Sequence, residues 1–319
     1  MREQSSIVKK VGSRPQTTIL NVFELTGVAL FTGKIVKCRF LPALPDTGIV
    51  FRRIDLLDKP MIKARAAAVV ATPRCTIVGQ NGISVQLVEH LLSAVYGLGI
   101  DNLIVEIDGP EVPIFEGSST QFVQALVEAK TVSLAAQKPI FALLEPLEVA
   151  FNGTSVRAIP KDELTFSYLL HYDDEGVLEH QEYGIKFTHD RYCKQVSNCR
   201  TFSSYEEIQP LLEKGLIKGG SLENGIIVKE GRVINEGGLR FPNEMARHKV
   251  LDMIGDLCLI GYDVIASYQG ARSGHTQTTR LAQIIEGKVL ECVHQTPQMT
   301  EQMGGQIAEQ MAARWAKIR

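Results

Sequence analysis

Two stretches of this chain repeat one another without a gap, and that constrains the fold more than any composition does. Sliding the sequence by about 162 positions lays residues 88–101 on residues 250–263. His90 then meets Asp252, Gly99 meets Gly261 and Asp101 meets Asp263. Each stretch belongs to a helical pattern that ends near a glycine and leads into an apolar strand. Residues 84–96 open on a serine able to cap a helix and set Val85, Val88, Leu91, Leu92 and Val95 on one apolar stripe. Residues 244–259 do the same with Met245, Leu251, Ile254 and Leu257. A further helix is expected after each strand, over 119–128 and 275–286. One match of this length can arise by chance. Read as a true repeat, it predicts two related α+β domains, each offering a metal ligand from the same helix.

At 319 residues the chain is long enough for two domains, and 45% hydrophobic with 22% charged residues is a globular balance. A net charge of -2 with scattered basic residues argues against nucleic-acid binding and gives no pull toward an acidic membrane. No apolar run of signal-peptide length follows Lys9, Lys10 and Arg14, and none approaches the ~18 residues of a membrane span. Six cysteines without a CxxC pair read as reduced thiols in a cytoplasmic protein. Alternating or branched apolar runs predict strands over 19–25, 35–41, 48–52, 103–107, 141–149 and 164–171. The polar segment 131–139, with Lys138 and Pro139, is the candidate boundary between a first domain over 1–133 and a second over 134–295. Residues 296–319, rich in Gln, Met and Ala, are expected to form a peripheral helix.

His248 and Asp252 are four apart in a periodic helix, which stacks both side chains on one face within reach of a single ion. Asp256, four further on, stays on that side. His90 is the natural third ligand. Three protein ligands and one open position are usual in zinc hydrolases, and Glu89 beside His90 is placed to act as base on a bound water. Taken alone, a His-x-x-x-Asp pair is more often a solvated polar pair, and a Glu-His dipeptide says less still. Location raises both. Glu89 and His90 interrupt an apolar helix ahead of Leu91 and Leu92, where unsatisfied polar groups are costly. His248, between Arg247 and Lys249, is poorly placed to fill a core. His275, in a glycine-bearing turn that opens a helix, is suited to protonate a leaving group, the alternative being an exposed cap histidine. His171, His180, His189 and His294 lack partner spacing and read as non-catalytic. No GxSxG elbow, Walker loop, GxGxxG or HExxH is present, and the Gly219-Gly-Ser221 turn is too short to cradle a phosphate.

Read together, the segments become specific. Thr26-Gly-Val-Ala-Leu-Phe-Thr-Gly33, Asp46-Thr-Gly-Ile-Val-Phe-Arg52, Val88-Glu-His-Leu-Leu92, Gly99-Ile-Asp-Asn102 and Pro110-Glu-Val-Pro-Ile114 come first. Arg200-Thr-Phe202, Gly219-Gly-Ser221, Asn235-Glu-Gly-Gly-Leu-Arg-Phe241, Arg247-His-Lys-Val-Leu-Asp252, Ile254-Gly-Asp256 and Ser273-Gly-His275 follow in order. From about residue 17 to 285 the series resembles the UDP-3-O-acyl-N-acetylglucosamine deacetylase family, zinc enzymes of lipid A synthesis. The resemblance implies an α+β fold of two related domains, each a β-sheet packed on helices, with the active site at their interface.

By that resemblance His90, His248 and Asp252 are zinc ligands, Glu89 the general base, and His275 the general acid or cationic stabiliser. Asp256 orients His275, and Thr201 supplies a hydroxyl to the oxyanion. Lys249 and Phe202 line the region of the substrate's sugar and diphosphate. Gly220 and Ser221 contact substrate within an insert, residues 215–228, that forms a passage for the 3-O-acyl chain. The implied partner is a small molecule, acylated UDP-N-acetylglucosamine, handled by a cytoplasmic monomer that contacts the membrane only transiently. Phe31, Ser204, Glu116 and the run Thr276-Gln-Thr-Thr279 depart from the family pattern at the acyl passage and sugar pocket. Two other readings stay open: a non-catalytic nucleotide-sugar or lipid binder, and a zinc amidohydrolase with another N-acetylated substrate.

Overall fold

In the computed structural model, which describes residues 6–173 and 176–295, the sequence echo is an echo of topology. In the first half Phe23–Val28, Ile35–Pro42, Leu103–Ile107, Ile49–Arg53 and Met61–Lys63 lie side by side in that order. In the second half Leu147–Phe151, Thr154–Ile159, Ser267–Ala271, Thr165–Leu170 and Gln181–Lys186 repeat the arrangement. Each sheet is two hairpins with a late strand between them, antiparallel to one neighbour and parallel to the other. The late strand's alternation explains its place. Leu103, Val105 and Ile107 face the same core as Val36, Cys38 and Phe40 of the adjacent strand.

The described helices are α1 (Glu89–Gly97), α2 (Thr120–Glu128), α3 (His189–Gln195), α4 (Tyr205–Glu213), α5 (Glu244–Cys258) and α6 (His275–Gln295). α1 precedes the late strand of the first half and α5 that of the second; α2 and α6 follow them. Every residue of α1 except Tyr96 is buried, as a helix packed on several sides must be. It packs on α5, and their closeness depends on Gly255: a Cβ there would lie 2.1 Å from the Glu89 carbonyl oxygen. A third sheet, Val8–Ile19, Thr131–Leu143 and Asp263–Ile265, ties the halves together. The segment expected as a boundary, 131–139, lies within its central strand.

Each half also carries an insert ahead of its long helix. In the first it is the small sheet Val69–Ala71, Ile77–Gln80 and Ile83–Gln86; in the second, α3, α4 and the sheet Phe202–Ser204, Ile226–Lys229 and Arg232–Val233. Ser84 is therefore in a strand and caps no helix. The left-handed pair Asn81 and Gly82 (φ 53° and 78°) closes a two-residue hairpin, and α1 starts only at Glu89. Two expected strands are likewise divided. At 19–25 the chain leaves the sheet after Ile19, the amides of Leu20 and Asn21 donating to Lys130 and Ala129 carbonyls. At 141–149 the strand stops at Leu143, and Pro146, which has no N–H for a ladder, precedes the next. α6 runs past its expected end at 286 to Gln295, and the expected tail helix, 296–319, lies outside the described residues.

Candidate metal centre and active site

α1 and α5 pack together and each buries polar residues, Glu89 and His90 on one and His248, Asp252 and Asp256 on the other. His248 and Asp252 sit one turn apart on α5, with His248 Nε2 3.2 Å from Asp252 Oδ1. His90 reaches the same oxygen from α1, its Nε2 at 3.7 Å. One ligand atom from each of the three lies within 4.8 Å of the others. All three are buried, and they form a group able to hold a metal ion. The donor set fits such an ion. His248 Nδ1 is engaged by the Cys199 carbonyl at 3.0 Å, which leaves the Nε2 lone pair for a ligand. His90 Nδ1 is buried without a hydrogen-bond partner. Burial and then the neighbouring His248 push His90 down to about 3, so the ring is neutral and able to ligate. Burial opposes charge on Asp252, yet His248 and Lys249 outweigh it and hold the carboxylate well below its ordinary range. Lys249 Nζ donates to Asp252 Oδ2 at 2.7 Å and lies 5.7 Å over the Phe202 ring.

Beside this group stands a second one. Glu89 Oε1 is 3.7 Å from His275 Nε2, and His275 Nδ1 is 2.9 Å from Asp256 Oδ2. Burial lifts Glu89 to about 7, against the pull of His275. Burial works against the His275 imidazolium, but Asp256 and Glu89 outweigh it and raise His275 to about 9. A carboxylate able to take a proton and an imidazolium able to give one thus face each other next to the candidate metal ligands.

Both groups open on a cavity of about 900 Å³. Glu89, His90, His248, Lys249, Asp252 and His275 line it, as do Thr201, Phe202, Gly220 and Ser221. Asp256 does not; it is buried behind His275. The backbone holds Thr201 in place, its N–H donating to the Gly117 carbonyl and its carbonyl accepting from Ile226, each at 2.7 Å. The apolar wall runs wider than residues 215–228. Ile208, Leu211 and Leu212 of α4 join Ile217, Leu222, Ile226 and Ile227. Three lining residues take left-handed backbone, Arg74 (φ 65°), Leu87 (φ 62°) and Arg272 (φ 55°), and non-glycine residues held so tend to cluster at functional sites.

The departures noted in the sequence find local roles. Phe31 lines the cavity while its N–H donates to Glu111 Oε1 at 2.7 Å, and Ser204 caps α4 by accepting from the Glu207 N–H. Glu116 accepts from the Ser118 hydroxyl and pairs with Arg240. The hydroxyls of Thr278 and Thr279 bond back to the carbonyls of Gly274 and His275, and that of Thr276 meets Thr72 at 2.7 Å, so this run secures the start of α6. Sequence reasoning missed Thr76, Tyr168 and Arg272. Tyr168 donates its hydroxyl to the Ser273 carbonyl and steadies the turn before His275, while Arg272 lines the cavity. His171, set aside as non-catalytic, also lines it. No local spacing marks these residues, because their partners are distant in the chain.

Comparison with known proteins returns one theme. The sequence pattern of the family described as UDP-3-O-acyl N-acetylglycosamine deacetylase matches residues 16–286. Proteins named UDP-3-O-acyl-N-acetylglucosamine deacetylase are similar over most of their length. That of Saccharophagus degradans is 41% identical across 82% of this chain and 86% of its own. That of Nitrosococcus oceani is 41% identical across 83% and 88%, and that of Blochmanniella floridana 38% across 85% and 92%.

Proposed function

The chain belongs to the UDP-3-O-acyl N-acetylglycosamine deacetylase family, and we propose that it removes the N-acetyl group of UDP-3-O-acyl-N-acetylglucosamine in lipid A synthesis, using zinc held by His90, His248 and Asp252. The observation that carries this reading is a convergence. The buried helices α1 and α5, with the first residue of α6, bring a His, His, Asp group and an opposed Glu89–His275 pair to one cavity that has an apolar wall. A bound zinc ion lowers the pKa of its water and polarises the amide carbonyl.

The residues of the chain supply the rest. Glu89, through Oε1, takes a proton from the attacking water. The Thr201 hydroxyl, on the cavity wall, donates to the oxygen that gains charge as the carbonyl carbon becomes tetrahedral. His275 gives its Nε2 proton to the departing nitrogen as the C–N bond breaks, while Asp256 keeps the Nδ1 proton in place. Acetate and a free 2-amino sugar result. Lys249 and Phe202 border the sugar and diphosphate side, Gly220 and Ser221 contact substrate in the insert, and the α4 wall receives the acyl chain. No helix among the described residues is long and apolar enough to cross a membrane. The test is incubation with acylated UDP-N-acetylglucosamine. Acetate release is expected, abolished by chelator and restored by zinc; release unaffected by complete metal removal would refute the metal assignment.

A further inference from the structure

We infer that Thr76 is a positioning residue that sets both the general base and the carboxylate behind the general acid, closing a four-residue ring with Glu89, His275 and Asp256. Thr76 sits immediately before the strand Ile77–Gln80 in the insert of the first half, and none of its surface is exposed. Its N–H donates to Glu89 Oε2 at 2.9 Å, across 13 positions. Its hydroxyl donates to Asp256 Oδ1 at 2.5 Å, across 180 positions. His275 closes the ring, with Nδ1 2.9 Å from Asp256 Oδ2 and Nε2 3.7 Å from Glu89 Oε1.

Geometry makes the consequence specific. A carboxylate has two oxygens, and a rotation exchanges them unless one is tied. Thr76 ties one oxygen on each side, so the oxygens left toward His275 are Glu89 Oε1 and Asp256 Oδ2. A single residue, placed by one backbone, therefore fixes the separation of the two carboxylates that flank the imidazole. The residue itself is held in turn, since its carbonyl accepts from the Val88 N–H just ahead of α1 at 3.4 Å. Thr76 does not line the cavity and touches no substrate, so any effect on turnover passes through the other members of the ring. Valine matches threonine in shape and keeps the N–H but lacks the hydroxyl, and that isolates the bond to Asp256.

The inference rests on the roles given above to Glu89 and His275, and the test separates the two. In zinc-loaded enzyme, Thr76→Val is expected to lower kcat about 10- to 100-fold with KM within about twofold, as losses of such supporting bonds do. Zinc content should stay at the wild-type level, and Thr76→Ser should recover most of the rate. The decisive readout is a double-mutant cycle. If Thr76 acts through Asp256 and His275, Thr76→Val should cost little more in a His275→Ala background. Equal losses in both backgrounds would show a merely structural role and overturn the inference, as would an unchanged kcat in Thr76→Val alongside a slow Glu89→Gln. If Glu89→Gln and His275→Ala both keep the wild-type rate, the reading of the active site fails and the inference with it. Should Thr76→Val fold poorly, the comparison of Thr76→Ser with Thr76→Ala, per zinc-loaded molecule, reads the same hydroxyl.

Discussion

At His275 two fields oppose each other. It is the first residue of α6, 21 residues long, and the partial positive charge of a helix N-terminus disfavours a cation there. Burial disfavours it as well, yet Asp256 and Glu89 hold the imidazole raised to about 9. The charge is kept chiefly by these two carboxylates, with a smaller pull from Asp252, which makes it available for donation when one of them changes its own charge. Accordingly, Glu89→Gln and His275→Ala are expected to slow acetate release by about 10²- to 10⁴-fold, the range for losing one acid–base partner, while metal content stays at the wild-type level. His90→Ala should instead lose the metal. Parallel metal analysis and initial rates check both, and wild-type turnover in either Glu89→Gln or His275→Ala would remove that residue from the chemistry. The grouping of His90, His248 and Asp252 was legible in the sequence because two of them share a helix face and the third breaks an apolar stripe. Thr76 could not: its partner Asp256 lies 180 positions away, and nothing in the residues around it alters a pattern.

The elements were legible where periodicity is strong and both flanks are clear. α5, α2 and the late strand Leu103–Ile107 stand where the apolar spacing put them. Errors arose where two periods abut without a Pro or Gly cluster, as at residues 84–88, where alternating Ile83 and Val85 run directly into helical spacing. The Asn81-Gly82 pair was the available signal for that hairpin. What no spacing announces is how near α1 and α5 approach, and there Gly255 decides. A Cβ at that position would meet the Glu89 carbonyl oxygen at 2.1 Å and its carbon at 2.8 Å, both backbone atoms that cannot turn aside. Gly255→Ala therefore forces the helices apart. Its expected cost is about 1–3 kcal/mol of stability, typical of overpacking, together with weaker metal binding, because His90 moves on one helix and His248 and Asp252 on the other. Thermal unfolding and competition with a metal-binding dye measure the two effects. Unchanged metal affinity would show that the site tolerates a shift of α1 against α5.

For the molecule as a whole, the repeat meets itself a second time away from the active site. Asp101 and Asp263, the last pair of the sequence echo, are both held by Arg14 of the first strand. Its Nη1 and Nη2 reach the two oxygens of Asp101 at 2.6 and 2.7 Å, and its Nε reaches Asp263 at 2.5 Å. Lys138, opposite Arg14 in the strand pairing, joins both carboxylates at 2.9 and 3.1 Å. Two cations and two carboxylates thus balance beside the sheet that ties the halves together, three of them on its strands and Asp101 ahead of Leu103–Ile107. Removing Arg14 would leave buried carboxylates with one cation between them, a loss of about 3–5 kcal/mol. Arg14→Met should accordingly lower the urea midpoint markedly, and Arg14→Lys should recover only part, since an ammonium cannot span both carboxylates as the guanidinium does. The pH dependence has a definite sign. Burial works against the Asp101 charge, but Lys138 and Arg14 outweigh it and hold the carboxyl below its ordinary range. Its contribution is then complete above the unfolded value of about 4 and is lost as pH falls below that toward the lower folded value. Unfolding free energy measured from pH 6 downward should fall more steeply in wild type than in Asp101→Asn over that acid range. Parallel curves for the two proteins would mean that the cluster contributes no proton linkage, and that the halves are held by the strand pairing and the α1–α5 contact alone.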